Sequence, residues 1–185
     1  MVTGTVPTAT GVLYFGGGGA SAKLGVEARD AAVPVEADLE VRVPRRARLW
    51  VKTDRAAVLV EGVTGSLDAY SVSGTVVVRG APAQTYAESM DGSLEVEGNV
   101  TWLRLKSAGG RIAFRGGAED ATATSVSGDV RLTGARFGRV RAETITGAVT
   151  FDGAVDRGGT YLFETHAGDV ELRFTPPVHA EVEAT

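Results

Sequence analysis

The chain has 185 residues, 43% of them hydrophobic and 23% charged, with a formal net charge of −4. That is the size of one globular domain, and the acidic balance argues against general binding to nucleic acid or to an anionic membrane surface. Cysteine is absent and histidine occurs twice, at His166 and His179, so disulfides, thiolate nucleophiles, thiolate metal sites and a three-histidine centre within one chain are excluded.

No apolar run approaches the ~18–20 residues of a membrane-spanning helix. The first nineteen residues, MVTGTVPTATGVLYFGGGG, precede any basic residue, Lys23 being the first, and do not have the form of a secretory signal. The expected location is the cell envelope or the outside of the cell if a leader was removed, and the cytoplasm otherwise. Within residues 1–46, VLYF (12–15), AAVPVEA (31–37) and LEVRVP (39–44) have the composition of short strands. The run Gly16–Gly19 lacks a following Gly-Lys-Ser/Thr and is not a phosphate loop. Residues 1–46 do not share the periodicity of the rest of the chain, and are expected to cap its first turn or to cover one of its faces.

From residue 47 onward the chain repeats. Gly74, Gly92, Gly110, Gly128, Gly147 and Gly168 lie 18, 18, 18, 19 and 21 residues apart, in the contexts SVSGTVVV, SMDGSLEV, SAGGRIAF, SVSGDVRL, TITGAVTF and THAGDVEL. One earlier turn carries Ala56 in place of glycine. Each repeat has a strand, a tight turn, a second strand and a glycine-containing corner, with period-2 alternation marking the strands.

Four apolar columns run through the repeats and form the expected core. The first is Leu49, Leu67, Thr85, Leu103, Ala121, Val140 and Tyr161; the second runs from Val51 to Phe163. Beyond the turn, the third runs from Val58 to Val170 and the fourth from Val60 to Leu172. Beside them stands a hydroxyl column of Thr53, Ser71, Ser89, Ser107, Ser125, Thr144 and Thr165. A residue repeated in every turn answers a repeated environment, so this is expected to be a structural stack and not a set of nucleophiles. Outward, Glu61, Arg79, Glu97 and Arg115 alternate in sign, as charges do when strands stack in register at ~4.8 Å.

This pattern predicts an all-β fold: a single-stranded parallel β-solenoid of about seven rungs of ~18 residues, forming two main sheets along a rod of ~34 Å. Right-handed winding is the default for parallel crossovers. Residues 47–185 carry the solenoid and residues 1–46 its cap, in one domain. At the end, VEAT (182–185) matches the start of another rung. An open rung there favours pairing with a partner or a second copy through the solenoid ends.

The run LEVRVPRRARLWVKT followed by repeated Ser-x-Ser-Gly-Asp/Thr-Val turns resembles the bacterial adhesin-like family of β-strand-repeat proteins, also called toastrack domains. The turn pattern is fullest at Ser125–Val130 and partial at Ser71–Val76, Thr144–Val149 and Thr165–Val170. The resemblance covers residues 36–185 and departs from the pattern at Ala56. It implies a solenoid associated with the cell envelope or surface, with no catalytic site to carry over.

Several residues invite a functional assignment. Trp50, Tyr70, Tyr86 and Trp102 occupy outward positions on the first strand of successive repeats, with Arg104, Lys106 and Arg141 on the same face. Aromatic rings interleaved with polar groups suit a glycan or protein ligand. The alternative is that residues 1–46 cover this face with Val12, Tyr14 and Phe15. Glu143 and Glu164 fall in adjacent rungs, as a carboxylate pair for glycoside chemistry would; surface charge alternation explains them, and Glu88, more simply. Asp91, Asp129 and Asp169 beside the turn glycines are too sparse for a calcium cage and suit turns. Arg42, Arg45, Arg46, Arg48, Lys52 and Arg55 form a basic cluster expected to be solvated.

The sequence therefore predicts a non-catalytic binding or structural module of the bacterial cell surface, without metal or cofactor, whose partner is a protein or a glycan. A self-assembling scaffold joined through the solenoid ends is the second expectation. A polysaccharide-active enzyme is the third.

Overall fold

The computed structural model describes the backbone of residues 2–7, 11–17, 20–26 and 36–39, and residues 40–80 and 82–178 in full. VEAT (182–185) and His179 lie outside the described residues. The described chain is all strand and turn. Strands β1 (Val2–Pro7), β2 (Gly11–Gly17), β3 (Ala20–Val26) and β4 (Glu36–Val41) precede the repeats. Then come β5 (Arg48–Thr53), β6 (Ala57–Glu61), β7 (Ser66–Ser71), β8 (Val76–Arg79), β9 (Gln84–Ser89) and β10 (Leu94–Glu97). The remainder are β11 (Val100–Ser107), β12 (Ile112–Arg115), β13 (Ala118–Ser125), β14 (Val130–Thr144), β15 (Val149–Thr165) and β16 (Val170–Phe174).

These strands wind into a parallel β-solenoid of seven rungs. One face stacks β5, β7, β9, β11, β13 and the second halves of β14 and β15, every pair parallel. The other stacks β6, β8, β10, β12, the first halves of β14 and β15, and β16, also parallel. β14 and β15 pass round the corner without a break, with register shifts flanking Phe137, and so join the two faces into one 16-stranded sheet. Antiparallel strands close the first rung: β2 pairs with β5 and carries β3, and β1 pairs with β6 and carries β4.

The registers align the four apolar columns as the repeat predicts: Leu49 beside Leu67 beside Thr85, and Val58 beside Val76 beside Leu94. Leu49, Leu67, Leu94, Leu105, Ile112, Phe114, Leu132 and Phe151 are fully buried. A fifth inward column stands at the corner, where Val100, Ala118 and Phe137 stack in register and Phe137 meets Phe114 and Phe151 at 6.0 and 5.1 Å. The columns lose their cover at the last rung. Tyr161, Phe163, Leu172 and Phe174 are only partly buried and Val170 is exposed, because no described rung follows.

The turn glycines are required by proximity. A Cβ on Gly92, Gly110 or Gly128 would lie 2.1, 2.1 or 2.0 Å from the carbonyl oxygen of the turn glycine one rung earlier, far inside van der Waals contact. Ala56 escapes the constraint because it opens the column: no described solenoid turn precedes it, and its own carbonyl is the one a Cβ on Gly74 would strike at 1.8 Å.

Candidate functional site

The hydroxyl column is fully engaged in the turns. Ser89, Ser107 and Ser125 accept hydrogen bonds from the amides of Gly92, Gly110 and Gly128 at 2.8–2.9 Å. Thr144 accepts from Gly147 and donates to the carbonyl of Gly128, and Thr165 donates to Gly147. Each hydroxyl thus closes its own turn or ties it to the rung before. Thr85 lies in the first apolar column, completely buried, with no hydrogen-bond partner for its hydroxyl among the described residues.

On the outer surface of the face containing β5 to β13, the strands present three side-chain columns. Register places Arg48, Ser66, Gln84 and Trp102 in the first; Trp50, Asp68, Tyr86 and Arg104 in the second; Lys52, Tyr70, Glu88 and Lys106 in the third. The aromatics therefore form a bent diagonal across four rungs, stepping from the second column at Trp50 to the third at Tyr70, back to the second at Tyr86 and on to the first at Trp102. Trp50 and Tyr70 have ring centroids 5.8 Å apart, Tyr70 and Tyr86 5.4 Å, with the planes tilted by 47° and 41°. Arg104 stands 4.9 Å over the ring of Trp102, within cation–π range. All four rings are partly exposed.

Polar groups fix this diagonal. Tyr86 donates its hydroxyl hydrogen bond to Glu88. Burial first, and then that bond, hold the Tyr86 phenol well above its usual value. Burial also raises Tyr70, with Asp68 and Glu88 adding their negative charge. Both tyrosines are therefore neutral hydrogen-bond donors at ordinary pH. Arg48 reaches Asp68 at 3.7 Å. Four cations, Arg48, Lys52, Arg104 and Lys106, share the patch with two carboxylates, Asp68 and Glu88, so it is basic on a chain of net charge −4. Farther along the face the aromatics give way to ion pairs, Asp120 with Arg139 at 3.1 Å and Arg141 with Glu143 at 2.6 Å.

β2 lies beside β5 in the plane of the sheet, with Tyr14 at the register position of Trp50 and Val12 at that of Lys52. The described N-terminal strands extend the edges of the solenoid; their backbone does not run across the diagonal.

Glu143 and Glu164 are neighbours in register. A concavity lies away from them, toward the corner. It is an open groove of about 740 Å³ at the corner, lined among others by Asn99, Glu119, Arg136 and Asp156, with Arg136 bonded to both carboxylate oxygens of Asp156 at 3.1 and 3.0 Å. Glu164 is exposed and Glu143 partly so, and neither lines this groove. Asp129 ties its turn to the next by accepting a hydrogen bond from the amide of Ala148, one rung on, at 3.0 Å. Among the described residues no cluster of His, Asp and Glu comes together as metal ligands, and no helix is long and apolar enough to cross a membrane.

Two surface features were not anticipated. One is the corner groove. The other is an apolar ridge along the turns, where Val72, Met90, Val126 and Ile145 are 39–58% exposed. Both follow the 18-residue period, one position after the hydroxyl column in the case of the ridge. Comparison with protein-family models, curated proteins and solved structures finds no match to this chain.

Proposed function

We propose that this β-solenoid is a non-catalytic binding module of the bacterial cell surface, and that the diagonal of Trp50, Tyr70, Tyr86 and Trp102 with Arg104 holds an acidic glycan chain. The observation that carries this reading is the gathering of four partly exposed rings and a basic excess on one face over four consecutive rungs. Aromatic side chains offer large contact area at small entropic cost, and Arg104 is pre-oriented by the Trp102 ring. The Tyr70 hydroxyl is suited to donate to sugar hydroxyls, that of Tyr86, whose hydrogen goes to Glu88, to accept from them, and the cations to bind carboxylates on the chain. The Ser-x-Ser-Gly-Asp-Val turn on a stacked solenoid supports membership of the adhesin-like toastrack family, and through it the surface location.

Electrophoresis through gels containing either a polyuronate or a neutral glucan tests the proposal. The parent chain is expected to be retarded by the polyuronate and less so by the glucan. Trp102→Ala and Tyr86→Ala should each weaken that retardation about tenfold, the effect of losing a central aromatic anchor, with unchanged circular dichroism. A parent that migrates freely in both gels, or variants retarded as strongly as the parent, would overturn it.

A further inference from the structure

We propose that the corner groove is a second saccharide subsite, which takes an uncharged, hydroxyl-rich sugar beside the aromatic face. This extends the glycan reading of that face to a further surface.

The groove stands where the repeat departs from its own period. Along one side the period holds: Ala83, Thr101 and Glu119 line it from successive rungs, 18 residues apart. Along the other side the corner lengthens. Arg115, Thr133 and Asp152 are in register before the corner, and Asp120, Arg139 and Thr160 are in register after it. The extra residues behind the 19- and 21-residue spacings of Gly128, Gly147 and Gly168 therefore fall within the corners of β14 and β15. Those lengthened corners carry Arg136 and Asp156, whose paired hydrogen bonds at 3.1 and 3.0 Å clasp one to the other. The concavity that results, about 740 Å³, has the size of a small-ligand site.

Its chemistry selects the ligand. The backbone along the groove is already spent: the amides of Thr101 and Trp102 both donate to the carbonyl of Ala83, Val100 donates to Gly117, and Gly117 donates to Asn99 Oδ1 at 2.7 Å. No strand edge is offered there to a peptide, so recognition falls to side chains. Thr101 and Glu119 are exposed, and neither the Thr101 hydroxyl nor the Glu119 carboxylate has a hydrogen bond or ion pair among the described residues. The charge of Arg136 is met by Asp156, which leaves Glu119 as the unbalanced charge of the lining. A carboxylate or phosphate on the ligand would be repelled there, whereas a sugar hydroxyl can donate to Glu119 and both donate and accept at Thr101. The groove also adjoins the aromatic face directly. Val100 and Leu103 are buried, and the two residues between them both face outward, Thr101 into the groove and Trp102 onto the face.

Amide NMR spectra of the full chain test this, in separate titrations with tetrasaccharides of glucose, galactose and N-acetylglucosamine and with a polyuronate. The amides of Gly117 and Gly138 report on the groove, and the indole N–H of Trp50 on the aromatic face. At least one tetrasaccharide is expected to move the two glycine amides saturably, and the polyuronate to move the Trp50 indole and not those amides. Glu119→Ala, which removes an exposed carboxylate, should raise the Kd for that tetrasaccharide about tenfold and leave the polyuronate midpoint unchanged. Trp50→Ala should do the reverse, and the spectra themselves show that each variant is folded. Tetrasaccharides that leave Gly117 and Gly138 unmoved, a polyuronate that moves them as strongly, or a tetrasaccharide Kd that Glu119→Ala does not change would each overturn the proposal. A polyuronate that fails to move the Trp50 indole, with the groove response intact, would overturn the reading of the aromatic face and uphold the groove.

Discussion

Stacking a backbone on itself every 18 residues leaves no room for a Cβ at the turn, and Gly128 carries that constraint, with the carbonyl oxygen of Gly110 2.0 Å from where a methyl would be. Gly128→Ala must push two rungs apart, and we expect a loss of about 3 kcal/mol or more in denaturant unfolding. Gly62 is glycine for another reason: its φ is 69°, and a Cβ there would meet nothing within 4 Å. Gly62→Ala should cost about 1–2 kcal/mol, from backbone strain alone. A second pair separates hydroxyls that serve a turn from one that does not. Ser125→Ala leaves the buried Gly128 amide without the acceptor it has at 2.9 Å and should cost about 1–3 kcal/mol. Thr85→Val replaces a buried hydroxyl that has no partner among the described residues and should be neutral or stabilising by about 1 kcal/mol in the same assay.

At the scale of strands, the outward charge ladder is a register device. Glu61, Arg79 and Glu97 are aligned across β6, β8 and β10, and Glu61 and Arg79 approach to 3.3 Å. Both are well exposed, so the pair contributes little to stability. Arg79→Glu would place three like charges in consecutive rungs. We expect a loss of about 1 kcal/mol at low ionic strength, most of it recovered in 1 M salt, where the Debye length is ~3 Å. A loss insensitive to salt would mean that Arg79 acts through packing. The ladder shows why the strand level was so legible in the sequence. Each position meets its counterpart one period away, so glycine, hydroxyl, apolar and charge columns repeat the same test of register. The corner column of Val100, Ala118 and Phe137 escaped notice because it lies where β14 bends, and the register shifts flanking Phe137 interrupt the period there. The open last rung was legible only in part: Tyr161, Phe163 and Leu172 continue the core columns in sequence, but burial depends on a following rung, which periodicity alone does not supply.

For the whole molecule, architecture and function part company. A solenoid interior is specified by period, so the chain announces its fold in every rung. Its outer surface is free of that constraint, and a binding face is marked only by where the period carries unequal residues. The aromatic diagonal is such a departure. Its four rings were visible in sequence as outward residues, but the approach of Tyr70 to Trp50 and Tyr86, the orientation of Arg104 over Trp102 and the hydrogen bond from Tyr86 to Glu88 required the three outward columns to be set side by side. The N-terminal strands matter at this scale as well, since their pairing with β5 and β6 closes one end of the rod.

The most direct test of the binding face uses the chain's own fluorescence. It has two tryptophans, Trp50 and Trp102, and both belong to the diagonal, so emission reports on this surface alone. Titration with a polyuronate should give a saturable change in emission, and Arg104→Ala, which removes the cation over Trp102, should shift its midpoint about tenfold to higher ligand concentration. Emission that stays constant throughout the titration, or that responds identically in the parent and in Arg104→Ala, would contradict the account.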